Sequence, residues 1–118
     1  IGSEGDPVHR GFDEFYGYNS QGQAHSYYPD YLWHNDIKVV LKQNLPDKRV
    51  QYAPNLIQQQ AMDFIKKNRD TSFFLYYPTI IPHAELVAPE QYMSEFRGKF
   101  LPEKPFIGTK PGSPKFRH

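Results

Sequence analysis

The chain has no cysteine among its 118 residues. That excludes a disulfide framework and any thiolate metal site, and it leaves the redox compartment undetermined. Long apolar runs are missing too, so no stretch is suited to span a bilayer. A strong charge of one sign is also absent. The formal balance is +1 at pH 7, and the basic residues are scattered apart from a mildly basic tail after Lys99. Such a balance makes no field suited to nucleic acid. Neither nucleic acid nor a membrane is therefore expected as a partner. A Gly-rich phosphate loop, H-E-x-x-H and G-x-S-x-G are all lacking. Asp6, Asp13, Glu14, Asp30 and Asp36 are too dispersed to indicate a metal site. The opening "IGSEGDPVHRG" holds neither an initiating Met nor the charged-then-apolar order of an export signal. The expectation is an interior segment of a longer protein.

What is present is aromatic. Hydrophobic residues make up 38% of the chain and aromatics 16%, with nine Tyr, nine Phe and one Trp. Packing through large rings with polar tips follows from that choice. Residues 1–35 combine turn formers (Gly2, Gly5, Asp6-Pro7, Gly11, Gly17, Asn19, Gly22, Pro29-Asp30) with seven rings, from Phe12 to Tyr31. A loop region of this length must dock its rings on something to be ordered.

Three elements emerge after it. "YLWHNDIKVVL", residues 31–41, reads as a short hairpin, because His34-Asn35-Asp36 tolerates positive φ between β-formers. Residues 53–69 read as an amphipathic helix. Pro54 suits its first turn, Ile57, Ala61, Phe64 and Ile65 form one apolar stripe, and Lys66, Lys67 and Arg69 complement the dipole at its end. Residues 72–77, "SFFLYY", are apolar on both faces, which predicts an interior strand of a covered sheet. Residues 78–118 follow as loop, a short helix over 89–96 and an extended Pro/Gly/Lys-rich tail. One helix and one doubly buried strand need more partners than this chain provides. The fold class expected is α/β, as a segment of a larger domain.

Two places invite chemistry. Ligands of open α/β sheets sit beyond the carboxyl ends of the strands, and His83 lies a few residues past such an end. Pro82 restricts Ile81 to extended geometry and stiffens the approach. A histidine there can donate to an anion or protonate a leaving group; the pattern equally allows a surface-loop histidine with no role. "NSQGQAHSYYP", residues 19–29, brings Gln21, Gln23, His25, Tyr27 and Tyr28 together. Neutral donors and acceptors beside rings suit a sugar-binding cleft, and they equally suit a Tyr-rich loop packed on its own domain. His9, His34 and His118 read as solvated.

Taken in order, "HRGFDEFYGY", "QAHSYYPDYLWHND" and "YAPNLIQQQAMDFIKKNRDTSFFLYYPTIIPHAELVAPEQY" resemble the sulfatase family of the alkaline-phosphatase-like superfamily. The closest likeness is to arylsulfatase A-like enzymes acting on sulfated sugars. The resemblance runs through nearly the whole chain, and its most specific parts are the GFDEFYGY block and the FFLYY-x4-PHA-x4-PE block. It implies an alkaline-phosphatase-like α/β sandwich. It also implies that His83, the histidine of the PHA block, contacts the sulfate and assists the departing alcohol. His25, Gln23 and Tyr27 are implied or suggested as substrate-binding residues. The family's formylglycine comes from a C/S-x-P-x-R motif, and its calcium is held by an Asp pair and an Asp-Asn pair. None of these is in this chain, where "GSPKFR" has the wrong spacing. Both are expected to lie outside the segment, which by itself is expected to be inactive. Gly22 stands where relatives often carry Arg, a difference that bears on sugar contacts. The expected partners are a sulfated carbohydrate or aryl sulfate and the remainder of the same catalytic domain. Self-association of the segment is a further expectation, and export of the parent to the periplasm or beyond is usual for relatives. Two other readings stand beside this one: a non-enzymatic carbohydrate-binding module using the Tyr-rich loop, and an interaction fragment that pairs through its strand edges.

Overall fold

Asn35 organises the first half of the chain. Its φ of 53° is left-handed, a conformation that Asn tolerates because its short polar side chain bonds locally. It closes a two-residue turn between two strands, which are numbered with their neighbour in chain order: β1 (Tyr16–Gly17), β2 (Tyr31–His34) and β3 (Ile37–Val40). The sheet is antiparallel in the order β1-β2-β3. Trp33 faces Lys38 across the hairpin, and Tyr16 faces His34 on the other side of β2. Asn35 extends the β1 pairing by one rung. Its side-chain oxygen accepts from the Phe15 N–H and its own N–H donates to the Phe15 carbonyl, each at 2.8 Å. Strand β1 lies within the aromatic loop region, where two residues are too few for a period-two pattern to show. The computed structural model describes residues 2–83 and 87–102. The tail expected after that, with His118, and the residues following His83 in the P-H-A block lie outside the described residues.

Helix α1 spans Ala53–Asn68, with Pro54 in its first turn and Lys66 and Lys67 in its last. Its N-cap residue, Tyr52, makes no side-chain cap. The orphan N–H of Ala53 is met instead by the Tyr27 carbonyl at 2.9 Å, which satisfies one of the free donors of a helix start. Ile57, Ala61, Phe64 and Ile65 are half-buried, while Gln58, Gln59 and Asp63 are exposed. The deepest packing is at the helix start. Leu32 (0% exposed), Leu41 and Ala53 form a small core, closed by Tyr16, Tyr18, Val39, Leu56 and Ile57.

Residues 72–77 differ from the strand expected of them. They belong to no ladder, and Phe74 is 74% exposed. A strand needs the ladder bonds of a neighbour, and none lies alongside among the described residues. The segment is held only loosely, Phe73 meeting Phe64 edge-on with ring centroids 5.4 Å apart, and Phe74 lying 6.2 Å from Phe12. Beyond it, α2 (Glu90–Met93) runs into a 3-10 turn over Ser94–Phe96. Arg97 pairs with Glu90, and the Tyr92 hydroxyl donates to Asn55 of α1 at 3.2 Å.

Candidate functional site

The site is built on the loop between β1 and β2. A 3-10 turn over Gln23–His25 sits at its centre. Flanking bonds hold it: Ala24 N–H to the Ser20 carbonyl, Ser26 N–H to the Gln23 carbonyl, and the Tyr18 hydroxyl to the Ser26 carbonyl at 2.7 Å. With three residues per turn, side chains two positions apart diverge by about 120°. Gln23 and His25 therefore face different surroundings.

His25 meets His83. Their rings stand edge to face, with centroids 4.7 Å apart and planes at 66°, and the Gln21 amide nitrogen lies 3.4 Å from His25 Nε2. Residues 81–82 form a turn through a cis Ile81–Pro82 peptide. The His83 N–H donates to the Ile80 carbonyl at 2.7 Å. Tyr27 supports this turn from beneath: only 4% exposed, it aims its hydroxyl at the His83 carbonyl (3.0 Å) and the Ile80 carbonyl (3.4 Å). His83 Nε2 is shielded from solvent and has no hydrogen-bond partner among the described residues. A buried polar atom in that condition costs roughly 1–3 kcal/mol, which a bound donor or acceptor would recover.

Tyr52 backs the same wall, its ring centroid 5.6 Å from that of Tyr27 and 5.3 Å from that of Tyr28. Burial pushes its phenol up to about 12, and the neighbouring hydroxyls of Tyr27, Tyr28 and Tyr92 add to the rise. The Tyr52 phenol thus stays uncharged at neutral pH.

Gln23 turns away from the histidines. Its Nε2 donates to the Tyr31 carbonyl at 2.5 Å, and its Oε1 is buried without a partner among the described residues. It borders an open cleft of about 640 Å³, with Ser20, Ser26, Tyr28 and Tyr31 on one wall and residues 47–49 on the other. Asn44, only 1% exposed, pins the two walls together. Its amide nitrogen donates to the Pro29 and Gln51 carbonyls (2.8 and 3.0 Å), and its oxygen accepts from the N–H groups of Val50 and Gln51 (3.2 and 2.7 Å). Every donor of the amide and both acceptor positions are used.

Of the residues singled out from the sequence, His25, Tyr27 and His83 converge and Gln23 faces the neighbouring cleft. Asn44 was missed: "KQNLPD" reads as a turn, and nothing in its composition marks a buried hub. His34 is also less free than its turn-like context suggested, since its Nε2 lies 3.1 Å from Glu14. Among the described residues no group of three or more His, Asp or Glu is placed to hold a metal. The described residues thus hold no complete calcium site by themselves.

One amphipathic helix beside a small antiparallel sheet, with long tied loops, defines an α/β fragment. The sulfatase family model matches residues 2–105, and the chain belongs to that family, as a fragment of its alkaline-phosphatase-like fold. Over 50 residues, 42% of its length, the chain is 32% identical to an uncharacterized sulfatase of Schizosaccharomyces pombe (strain 972). The matched stretch spans 9% of that relative's length.

Proposed function

We propose that this chain is part of a sulfate-ester hydrolase acting on sulfated glycans, in which His83 is the donor to the sulfuryl group or to the departing alcohol oxygen. The observation that carries the reading is the unpartnered, buried Nε2 of His83, fixed from beneath by Tyr27 and flanked by the His25 ring. Sulfate-ester cleavage builds negative charge on the sulfuryl and leaving oxygens, so donors placed there in advance favour the transition state. Tyr27 sets the height of the His83 backbone, and His25 limits the directions in which the His83 ring can turn. In this reading Tyr27 acts by positioning, since its hydroxyl is already engaged.

The nucleophile and the metal of such an enzyme, a formylglycine and calcium, would be supplied by residues outside this chain. They would contribute the attack on sulfur and the neutralisation of its charge. The chain alone accordingly turns over no sulfate ester. Its partner is the remainder of its own domain, which would cover the exposed residues 73–77; the separated chain would self-associate through that segment.

The test is His83→Ala in the full-length protein, assayed on an aryl sulfate. Turnover is expected to fall by about 10²–10⁴-fold, the usual contribution of a positioned proton donor. Unchanged turnover in a correctly folded variant would refute the assignment.

A further inference from the structure

The outer edge of the sheet has no part in the sulfatase reading. Strand β3 pairs with β2 on one side, and no strand or backbone hydrogen bond lies on its other side among the described residues. The register fixes which groups face outward. The Leu41 N–H donates to the Asp30 carbonyl at 2.7 Å, so bonded pairs recur at 32–39 and 34–37 along the antiparallel ladder. The N–H and C=O groups of Lys38 and Val40 therefore point away from β2. Ile37 and Val40, 66% and 47% exposed, add apolar surface at the same edge. A lysine commonly blunts such an edge. Here the Lys38 ammonium folds back over the Tyr31 ring of β2, 4.2 Å from its centroid, which leaves the β3 backbone open to a further strand.

The sequence of this edge matches a second copy of itself. Two antiparallel β3 strands related by a two-fold axis must set outward-facing residues opposite one another. With Lys38 opposite the partner's Val40, each outward N–H meets an outward carbonyl, and Val39 lies opposite the partner's Val39 at the axis. Ile37 then comes beside the partner's Leu41, extending the apolar face that Val39 and Leu41 already turn to the core. Asp36 comes toward the partner's Lys42. Both are exposed, and neither has an ion partner among the described residues. The registers two residues to either side bring like charges together: Lys38 against the partner's Lys38 in one, and against the partner's Lys42 in the other. Like charges directly opposite are destabilising. Hydrogen bonding, apolar contact and charge thus select one register.

We infer that the β3 edge is the interface of a symmetric homodimer of the full-length protein, in which the β3 strands of two copies pair antiparallel about Val39. The inference is independent of the role of His83.

Sedimentation equilibrium of the full-length protein over roughly 1–500 μM is expected to show a monomer–dimer equilibrium. Two variants at one half-exposed position then read the register. Val40→Lys sets a cation opposite the partner's Lys38 on both sides of the axis. Val40→Glu sets an anion there with the same loss of apolar surface. The dissociation constant of Val40→Lys is expected to exceed that of Val40→Glu by about tenfold, from two repelling pairs in one and two attracting pairs in the other. Hydrogen exchange of the wild type gives a check that needs no substitution: the Lys38 and Val40 amides should exchange more slowly as concentration rises. Equal constants in the two variants, or amides indifferent to concentration, overturn the interface. So does a wild type that stays monomeric, whether its edge is bare or covered by the remainder of the domain.

Discussion

The ring of His25 stands edge-on to that of His83, centroids 4.7 Å apart, although the two residues lie in segments that share no secondary structure. An aromatic pair in this geometry is worth about 0.5–1.5 kcal/mol beyond its burial. That is enough to bias one orientation of His83 without locking it.

His25→Ala removes both the ring and its nitrogens, whereas His25→Phe keeps the ring. In the full-length protein His25→Ala is expected to shift the preference among sulfated glycans more than it alters aryl sulfate hydrolysis. His25→Phe should hold aryl sulfate turnover closest to wild type, because the edge contact on His83 survives. Equal losses on both substrate types in His25→Ala would remove the pocket role.

Tyr27→Phe deletes one hydroxyl and leaves the carbonyls of Ile80 and His83 without that donor. The stability loss should be about 1 kcal/mol, that of a single buried hydrogen bond, read as a shifted denaturant midpoint. Because the residue acts on His83 through its backbone, kcat should fall while KM for an aryl sulfate holds. A rise in KM alone would argue for direct substrate contact instead.

Asn44 carries four hydrogen bonds at 1% exposure. Asn44→Ala leaves those backbone groups unpaired and is expected to cost about 2–4 kcal/mol, near the upper end for point substitutions. Asn44→Asp keeps the acceptor but loses both donors and turns a carboxylate toward the Pro29 and Gln51 carbonyls. It should be no milder than the alanine change. Thermal unfolding of the two variants checks the order.

Tyr52 ionises near 12 in the folded state because burial disfavours its phenolate, against about 10 when unfolded. The folded state therefore binds this proton more tightly. Its contribution to stability is complete below pH 10 and is lost as pH rises from 10 through 12. Tyr52→Phe should flatten the alkaline fall in the denaturation midpoint across that window. A profile identical to wild type would show that the ring is more hydrated than its packing implies.

Phe74 is the most exposed of the rings in the segment 73–77. If the rest of the domain covers that segment, Phe74→Asp will destabilise the full-length protein by at least the ~1.5–3 kcal/mol of a buried phenylalanine. In the separated chain the same change should reduce self-association, seen by sedimentation. A full-length protein indifferent to the substitution would place this segment on its surface.

The elements that depend on neighbours close in sequence were legible without the structure. The apolar stripe Ile57–Ala61–Phe64–Ile65 and the early Pro54 determine a helix by themselves, since periodicity and the orphan donors of a first turn are local matters. Asn35 between two β-forming runs determines the hairpin for the same reason. The order of the motifs from GFDEFYGY to the P-H-A block was sufficient to indicate the family and to single out His83.

Tertiary structure alone decided what surrounds that histidine. The Tyr27 hydroxyl and the His83 carbonyl are 56 positions apart, and no local pattern encodes a bond across that distance. The same holds for Asn44, whose turn-like sequence conceals a buried amide, and for Gln23, which a 3-10 turn directs away from His25 into a separate cleft. Residues 73–77 show the complementary case. Their apolar pattern specifies that they should be buried, but a strand is completed only by the segments that pair with it and cover it, and those are not among the residues described.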